Sequence, residues 1–157
     1  MFPALRPILN KGGAGRYVSR EESVERLLPV AQRHLDHCVA YDAAVQALPE
    51  GPVRERLEAM GPYLRTETAK VSETILSLGG APPTGVDREP ATAAEGSPRD
   101  VVDRLIGAER DFGRAVREEV DAVHHQERTR AILEHNAAAS EARAGLLREV
   151  AADLTRG

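Results

Sequence analysis

Four side chains that commonly bind metal ions fall on the apolar faces of four predicted helices: His34, Glu67, Glu109 and His135. Imidazole and carboxylate groups are usual protein ligands for zinc, iron and manganese. Burying such groups without partners costs free energy, so converging groups must satisfy one another or bind a cation. The sequence therefore predicts one of two arrangements. One is a two-histidine, two-carboxylate site for one Fe, Zn or Mn ion, and the other is a hydrogen-bonded ionic cluster without metal.

Secondary candidates lie on the first helix and where the third and fourth helices should meet. Tyr41 shares the apolar face of His34, where it can act beside a metal or simply bury its ring with a hydrogen-bonding partner. The second group contains Asp121, His124, His125 and Glu127, and the acid-x-x-His spacing places two of its groups on one helix face. A solvated surface cluster is the favoured interpretation of this second group.

Apolar residues recur at three- and four-residue spacing in four segments, which predicts four helices. Their predicted bounds are about 19–48, 53–79, 98–124 and 129–155. A turn is placed near 124–129, because one uninterrupted helix to the end of the chain would be too long for a globular domain. In this register the inward residues of the fourth helix are Ile132, Ala139, Ala142, Leu146, Val150 and Leu154.

The connecting segments predict how these helices are joined. Residues 1–18 have no apolar periodicity and are predicted to form a flexible N-terminal arm, with 19–157 forming the bundle. Residues 80–97 are rich in Gly, Pro, Ala and Thr, and are long enough to run the length of a bundle as a crossover. The sequence thus predicts an all-α four-helix bundle of two antiparallel hairpins. The four candidate ligands would then lie at levels that agree within roughly 10 Å.

Composition excludes several classes of protein. A net charge of -4 without a clustered basic face argues against nucleic acid. The single cysteine, Cys38, excludes an internal disulfide and a thiolate zinc cage. No apolar run approaches the ~18 residues of a membrane span, and no signal peptide is recognisable. We expect a cytoplasmic protein that does not enter membranes.

The end of the second predicted helix resembles a known family. Residues 75–82 read Ile-Leu-Ser-Leu-Gly-Gly-Ala-Pro, which is similar to the Ile-Leu-x-Leu-x-Gly-x-Pro run of bacterioferritins. The Ala-Glu-Arg of 108–110 also resembles bacterial ferritin-like proteins. As a topology the resemblance covers roughly residues 20–155, but it is specific only around the second helix. It implies a ferritin-like four-helix bundle, often a homodimer, whose best-known members bind and oxidise or store iron.

The ligand pattern of that family is incomplete here. A di-iron site needs a Glu on each of two helices and a Glu-x-x-His on each of the other two. Leu64 stands at the expected Glu position and Glu67 at the His position, while the fourth helix offers Asn136 and Ala139. An ordinary di-iron ferroxidase is therefore disfavoured.

Three functions follow in order of preference. The first is a non-catalytic ferritin-like bundle whose polar core binds one metal ion or none. The second is a protein-interaction or oligomerisation module that uses the alanine-rich fourth helix and the basic N-terminal arm to bind a partner or a second copy. The third is a di-iron oxidase with divergent ligands.

Overall fold

The computed structural model describes residues 19–85, 95–123 and 127–156. These residues form four helices: α1 (Arg20–Ala47), α2 (Pro52–Ser77), α3 (Pro98–Ala122) and α4 (Glu127–Arg156). No strand occurs within the described ranges, and the chain is an all-α four-helix bundle, which confirms the predicted fold class. The predicted arm, half of the predicted crossover (86–94) and residues 124–126 of the predicted α3–α4 turn lie outside the described residues.

Short polar side chains start two of the helices. Ser19 caps α1 by accepting a hydrogen bond from the backbone N–H of Glu22 at 3.1 Å. Ser97 and Asp100 form a reciprocal capping box at the start of α3, and Pro98 follows at the first helical position. These contacts satisfy N–H groups that have no partner within the helix.

Glycine ends α2 in a Schellman motif. Gly79 adopts a left-handed conformation (φ +86°), and its N–H donates to the carbonyl of Leu76. The N–H of Gly80 donates to the carbonyl of Ile75 at 2.9 Å. A residue without a Cβ adopts this conformation with little strain, so the glycine pair stops the helix.

The helices pack as two hairpins, α1 on α2 and α3 on α4, which are joined by contacts of α1 with α3 and of α2 with α4. Two hydrophobic clusters fill the interior. The first cluster includes Leu48, Leu57, Leu64, Leu105 and Leu147. The second includes Leu27, Val71, Ile75, Val116 and Leu133. Along every helix, buried polar residues lie between the two clusters.

The inward face of α4 differs from the predicted one. Ala142 and Leu146 are exposed, and Ile132 and Ala139 are only half-buried. The buried positions of α4 are Thr129, Leu133, Asn136, Ala137, Ser140, Arg143, Ala144, Leu147, Val150 and Ala151. The observed register is shifted by one residue, a rotation of roughly 100° about the helix axis.

None of the helices in the described part of the chain combines the length and apolar character that crossing a membrane requires.

Candidate functional site

Six buried polar side chains meet between the two hydrophobic clusters, and we call them the polar layer. α1 contributes two of them, α2 and α3 one each, and α4 two. In chain order they are His37, Tyr41, Glu67, Glu109, Ser140 and Arg143. Each pair from one helix is separated by three or four residues, which puts both members on the same helix face.

Arg143 lies at the centre of the polar layer and bridges two carboxylates. Its Nη1 donates to Glu67 Oε2 at 2.8 Å and to Oε1 at 3.0 Å. Its Nε donates to Glu109 Oε1, and its Nη2 lies 3.4 Å from Glu109 Oε2. The exposed fractions of the Arg143, Glu67 and Glu109 side chains are 6%, 8% and 0%. Charge-assisted hydrogen bonds with this forked geometry are among the strong contacts of protein interiors.

Glu109 accepts further hydrogen bonds from two hydroxyl groups. Tyr41 Oη donates to Oε1 at 2.7 Å, and Ser140 Oγ donates to Oε2 at 2.6 Å. His37 Nε2 lies 2.9 Å from Oε1, although its ring is not aligned for a hydrogen bond. The two carboxylate oxygens are thus surrounded by donors from α1 and α4.

These surroundings determine the protonation states within the layer. Burial raises the pKa of Glu109, but the electrostatic attraction of the His37 ring at 2.9 Å and of the Arg143 guanidinium outweighs that effect and brings the pKa down to about 2. Burial lowers the pKa of Arg143, but Glu109 and Glu67 more than compensate and hold it above its ordinary value. Burial and the neighbouring Glu109 charge raise the pKa of Tyr41. At neutral pH Glu109 is therefore ionised, Arg143 charged and Tyr41 a neutral donor.

His34 is fully buried beside the polar layer and is electrically neutral. Burial lowers its pKa to about 4, and the positive charge of Arg143 contributes to the shift. Its Nδ1–H donates to the carbonyl of Val30 at 3.0 Å, and its Nε2 has no hydrogen-bond partner within the described residues. The ring meets Phe112 edge-on, with centroids 4.7 Å apart.

Phe112 forms an apolar wall against the charged groups. The His37 ring stacks parallel to it at 4.9 Å, and the Arg143 guanidinium carbon lies 5.7 Å from its centroid. An aromatic face stabilises a nearby cation, which favours the position of Arg143. The same contacts shield the guanidinium from water.

Three of the four residues predicted as primary ligands are buried, but only Glu67 and Glu109 belong to the polar layer, where Arg143 joins them. His34, Glu67 and Glu109 are buried in the bundle interior. The prediction that His135 faces the core was wrong: its side chain is exposed, because α4 is rotated by one residue and presents Asn136 instead. His135 therefore does not belong to the polar layer.

Tyr41 belongs to the polar layer as a hydrogen-bond donor to Glu109. Asp121 and Glu127 are exposed at the end of α3 and the start of α4. His124 and His125, which completed that secondary group, lie outside the described residues.

The polar layer as built does not fit a Zn, Fe or Mn ion. Arg143 occupies the space between the carboxylates of Glu67 and Glu109, and a metal cation there would meet a fixed positive charge. Across 19–85, 95–123 and 127–156, no three His, Cys, Asp or Glu side chains are grouped so that they could hold a metal.

The chain matches no protein-family model, and no curated protein matches it.

Sequence reasoning missed Ser140 and Arg143 as members of the layer, and it placed His37 only at the edge of the apolar face of the first helix. A signal for α4 was nevertheless present, since Leu133, Ser140 and Leu147 repeat every seven residues beside Asn136, Arg143 and Val150. Asn136, Ser140 and Arg143 are polar, so this stripe lacks the apolar continuity that predicts a buried helix face. Only the carboxylates of two other helices make a buried arginine there acceptable.

Proposed function

We propose that this protein is a ferritin-like four-helix bundle without redox catalysis, which acts through its surface as an interaction module. One observation carries the proposal: the Arg143 guanidinium bridges the carboxylates of Glu67 and Glu109. In a metal-dependent bundle, carboxylates at the centre are balanced by bound cations. Here a side chain of the protein supplies the balancing charge.

The chemistry of arginine indicates that the ion pairs of Arg143 with Glu67 and Glu109 persist at every physiological pH. A guanidinium keeps its charge at all physiological pH values, so no change of pH frees the carboxylates for another cation. Removing one partner from a buried ion pair leaves an uncompensated charge, which is strongly unfavourable. A metal would have to displace Arg143 into the hydrophobic clusters on either side.

The burial of the layer also argues against catalysis. The charged side chains are each less than a tenth exposed, so a substrate has no direct path to Glu67, Glu109 or Arg143. A general acid or base must come within hydrogen-bonding distance of its substrate. The carboxylates here instead hold the helices together.

The ferritin-like part of the proposal is supported by the four-helix architecture and by the sequence of 75–82. That segment forms the Schellman motif that ends α2. Binding of one metal ion and divergent di-iron oxidation are the competing functions. Both require Arg143 to leave the layer.

Elemental analysis tests the proposal directly. The protein is purified without chelator or metal-affinity tag and measured beside a His34→Ala/Glu67→Ala double variant. We expect no stoichiometric Fe, Zn or Mn in either protein, and no oxidation of added Fe²⁺ by oxygen above the rate in buffer. About one metal per chain that is lost in the double variant would support the metal-binding function instead.

Arg143→Ala provides the complementary measurement. Removing the guanidinium leaves two carboxylates facing a small cavity, which resembles an empty metal site. If Arg143 replaces a cation, calorimetric titration with Zn²⁺ or Mn²⁺ should detect binding in this variant but not in the unaltered protein. Equal binding to both proteins would place the metal elsewhere and contradict the proposed role of Arg143.

A further inference from the structure

An open groove lies on the bundle surface between the first half of α3 and the end of α4. Its volume is about 780 Å³. We call it the arginine groove, because four arginines line it: Arg99 and Arg110 from α3, and Arg148 and Arg156 from α4. Asp103 is the one acidic residue among its described lining residues.

Two of these arginines carry charge that the described residues do not neutralise. Arg99 pairs with Asp103 at 3.0 Å, and Arg156 pairs with Asp153 at 2.7 Å. Arg110 and Arg148 form no ion pair within the described ranges. The chain as a whole carries a net charge of -4, so this surface differs in sign from the rest of the molecule. Such a local field attracts anionic partners.

The floor of the groove is apolar, and three of its four residues are small. It contains Ile106, Gly107, Ala151 and Ala152. A Cβ placed on Gly107 would meet no atom within 4 Å, so the space above this residue is open. Small side chains allow another backbone to approach closely. An inorganic phosphate would use the arginines but leave this apolar surface in contact with water.

The dimensions of the groove suit a helix. Arg99 and Arg110 are eleven residues apart along α3, which corresponds to roughly 16 Å or three helical turns. A partner helix with an apolar stripe can cover the floor, and carboxylates on the flanks of the stripe can reach the arginines on both sides. This is the helix-in-groove mode of recognition with added charge complementarity.

We propose that the arginine groove binds an acidic amphipathic helix of a partner protein. The apolar stripe of that helix lies over Gly107, and its acidic side chains pair with Arg110 and Arg148. The inference rests on the proposed function, since it identifies the chemistry of the partner that the interaction module binds. It does not depend on how Arg143 is used in the interior.

The test uses a synthetic, fluorescently labelled peptide of roughly 18 residues, or five helical turns. Leucine and alanine form one face of this peptide and glutamate occupies both flanks. A second peptide replaces every leucine by serine and keeps all glutamates. Inorganic tripolyphosphate serves as a competitor with charge but no apolar surface. Binding to the full-length protein is measured by fluorescence anisotropy at physiological salt.

Two variants alter the groove, and each has a matched control. Gly107→Leu fills the open floor, while Gly145→Leu adds the same side chain at an α4 position that also has open space but does not line the groove. Arg110→Glu/Arg148→Glu reverses the free charges. Arg33→Glu/Arg128→Glu makes the same change in net charge at exposed positions outside the groove. Circular dichroism verifies that all four variants remain helical.

We expect the leucine peptide to bind and both groove variants to weaken it by about tenfold or more, with the two controls unchanged. Failure of the leucine peptide to bind would overturn the proposal. Equal binding of the serine peptide, or full competition by tripolyphosphate, would also overturn it by showing a site for anions alone. These outcomes are independent of the metal analysis, so the proposed function and this inference can fail separately.

Discussion

Glu67 and Arg143 form a two-point hydrogen-bonded ion pair between α2 and α4, with Nη1 of Arg143 at 3.0 Å and 2.8 Å from the two carboxylate oxygens. The residues are 76 positions apart in the chain. α2 and α4 contact each other less than the two helices of either hairpin do. The ion pair is therefore a principal link across that side of the bundle.

Arg143→Met should destabilise the protein by about 3–5 kcal/mol, because it leaves Glu67 and Glu109 buried without a compensating charge. The measurement is the free energy of unfolding in urea at pH 7. Arg117→Met is the matched control: Arg117 pairs with Glu141 at 2.8 Å, but both side chains are more than half exposed. This control should change stability by less than about 1 kcal/mol. Equal effects of the two substitutions would contradict the role given to Arg143.

Tyr41→Phe should cost about 1.5–3 kcal/mol, the usual range for a hydrogen bond to a charged group. The substitution keeps the buried ring but removes the hydroxyl that donates to Glu109. Tyr63→Phe removes the same hydroxyl from a side chain that is 75% exposed, and should have almost no effect. Thermal and urea unfolding of both variants provide the comparison. If Tyr41→Phe left stability unchanged, the hydrogen bonds from Arg143 and Ser140 would be enough to stabilise the buried Glu109 carboxylate.

Acidification from pH 7 to pH 4 should lower stability, in part through His34. Its pKa is about 4 in the folded protein against 6.5 as the reference for an unfolded chain. Between these values the unfolded state binds more protons than the native state, so stability falls as pH falls. The difference corresponds to a loss of at most about 3 kcal/mol.

His34→Leu should flatten that part of the pH dependence, whereas His135→Leu, at an exposed position, should leave it unchanged. Urea unfolding at several pH values measures the slopes. Below about pH 4.5 a second loss follows, because the pKa of Glu109 is held at about 2 and its ordinary value is 4.5. A slope that His34→Leu does not change would rule out this assignment.

Glycine-to-alanine substitutions at two open positions should have opposite effects. At Gly79, where φ is +86°, alanine must adopt a left-handed conformation, which costs about 1–2 kcal/mol. At Gly145, inside α4, alanine is the better helix former and should stabilise by about 1 kcal/mol. A Cβ meets no atom within 4 Å at either position, so only the backbone differs. Melting temperatures that shift in the same direction would contradict this account.

The helices could be predicted from the sequence because their signals are local. The capping serines Ser19 and Ser97 and the glycine pair at the end of α2 each act within a few residues. The burial of Glu67 and Glu109 could also be predicted, since both lie in clear apolar stripes.

The register of α4 could not be predicted in the same way. Alanine occurs on both of its faces, so the contrast between the inward and outward sides is weak. An arginine is normally exposed, and Arg143 is buried only because Glu67 and Glu109 reach it from other helices. Partners 76 and 34 positions away leave no mark on the local pattern. The predicted register differs from the observed one by one residue, and it therefore placed His135 inward and Arg143 outward.

The position of the polar layer between two hydrophobic clusters also limits how the helices can slide along one another. Aliphatic side chains are interchangeable enough that a helix displaced by one turn, ~5.4 Å, could still bury leucine against leucine. The same displacement would move Arg143 away from both carboxylates and leave three charges unpaired in the interior. An axial shift of one helix therefore costs free energy in the polar layer even where the hydrophobic clusters would tolerate it. The six polar side chains in this way select one axial register for all four helices.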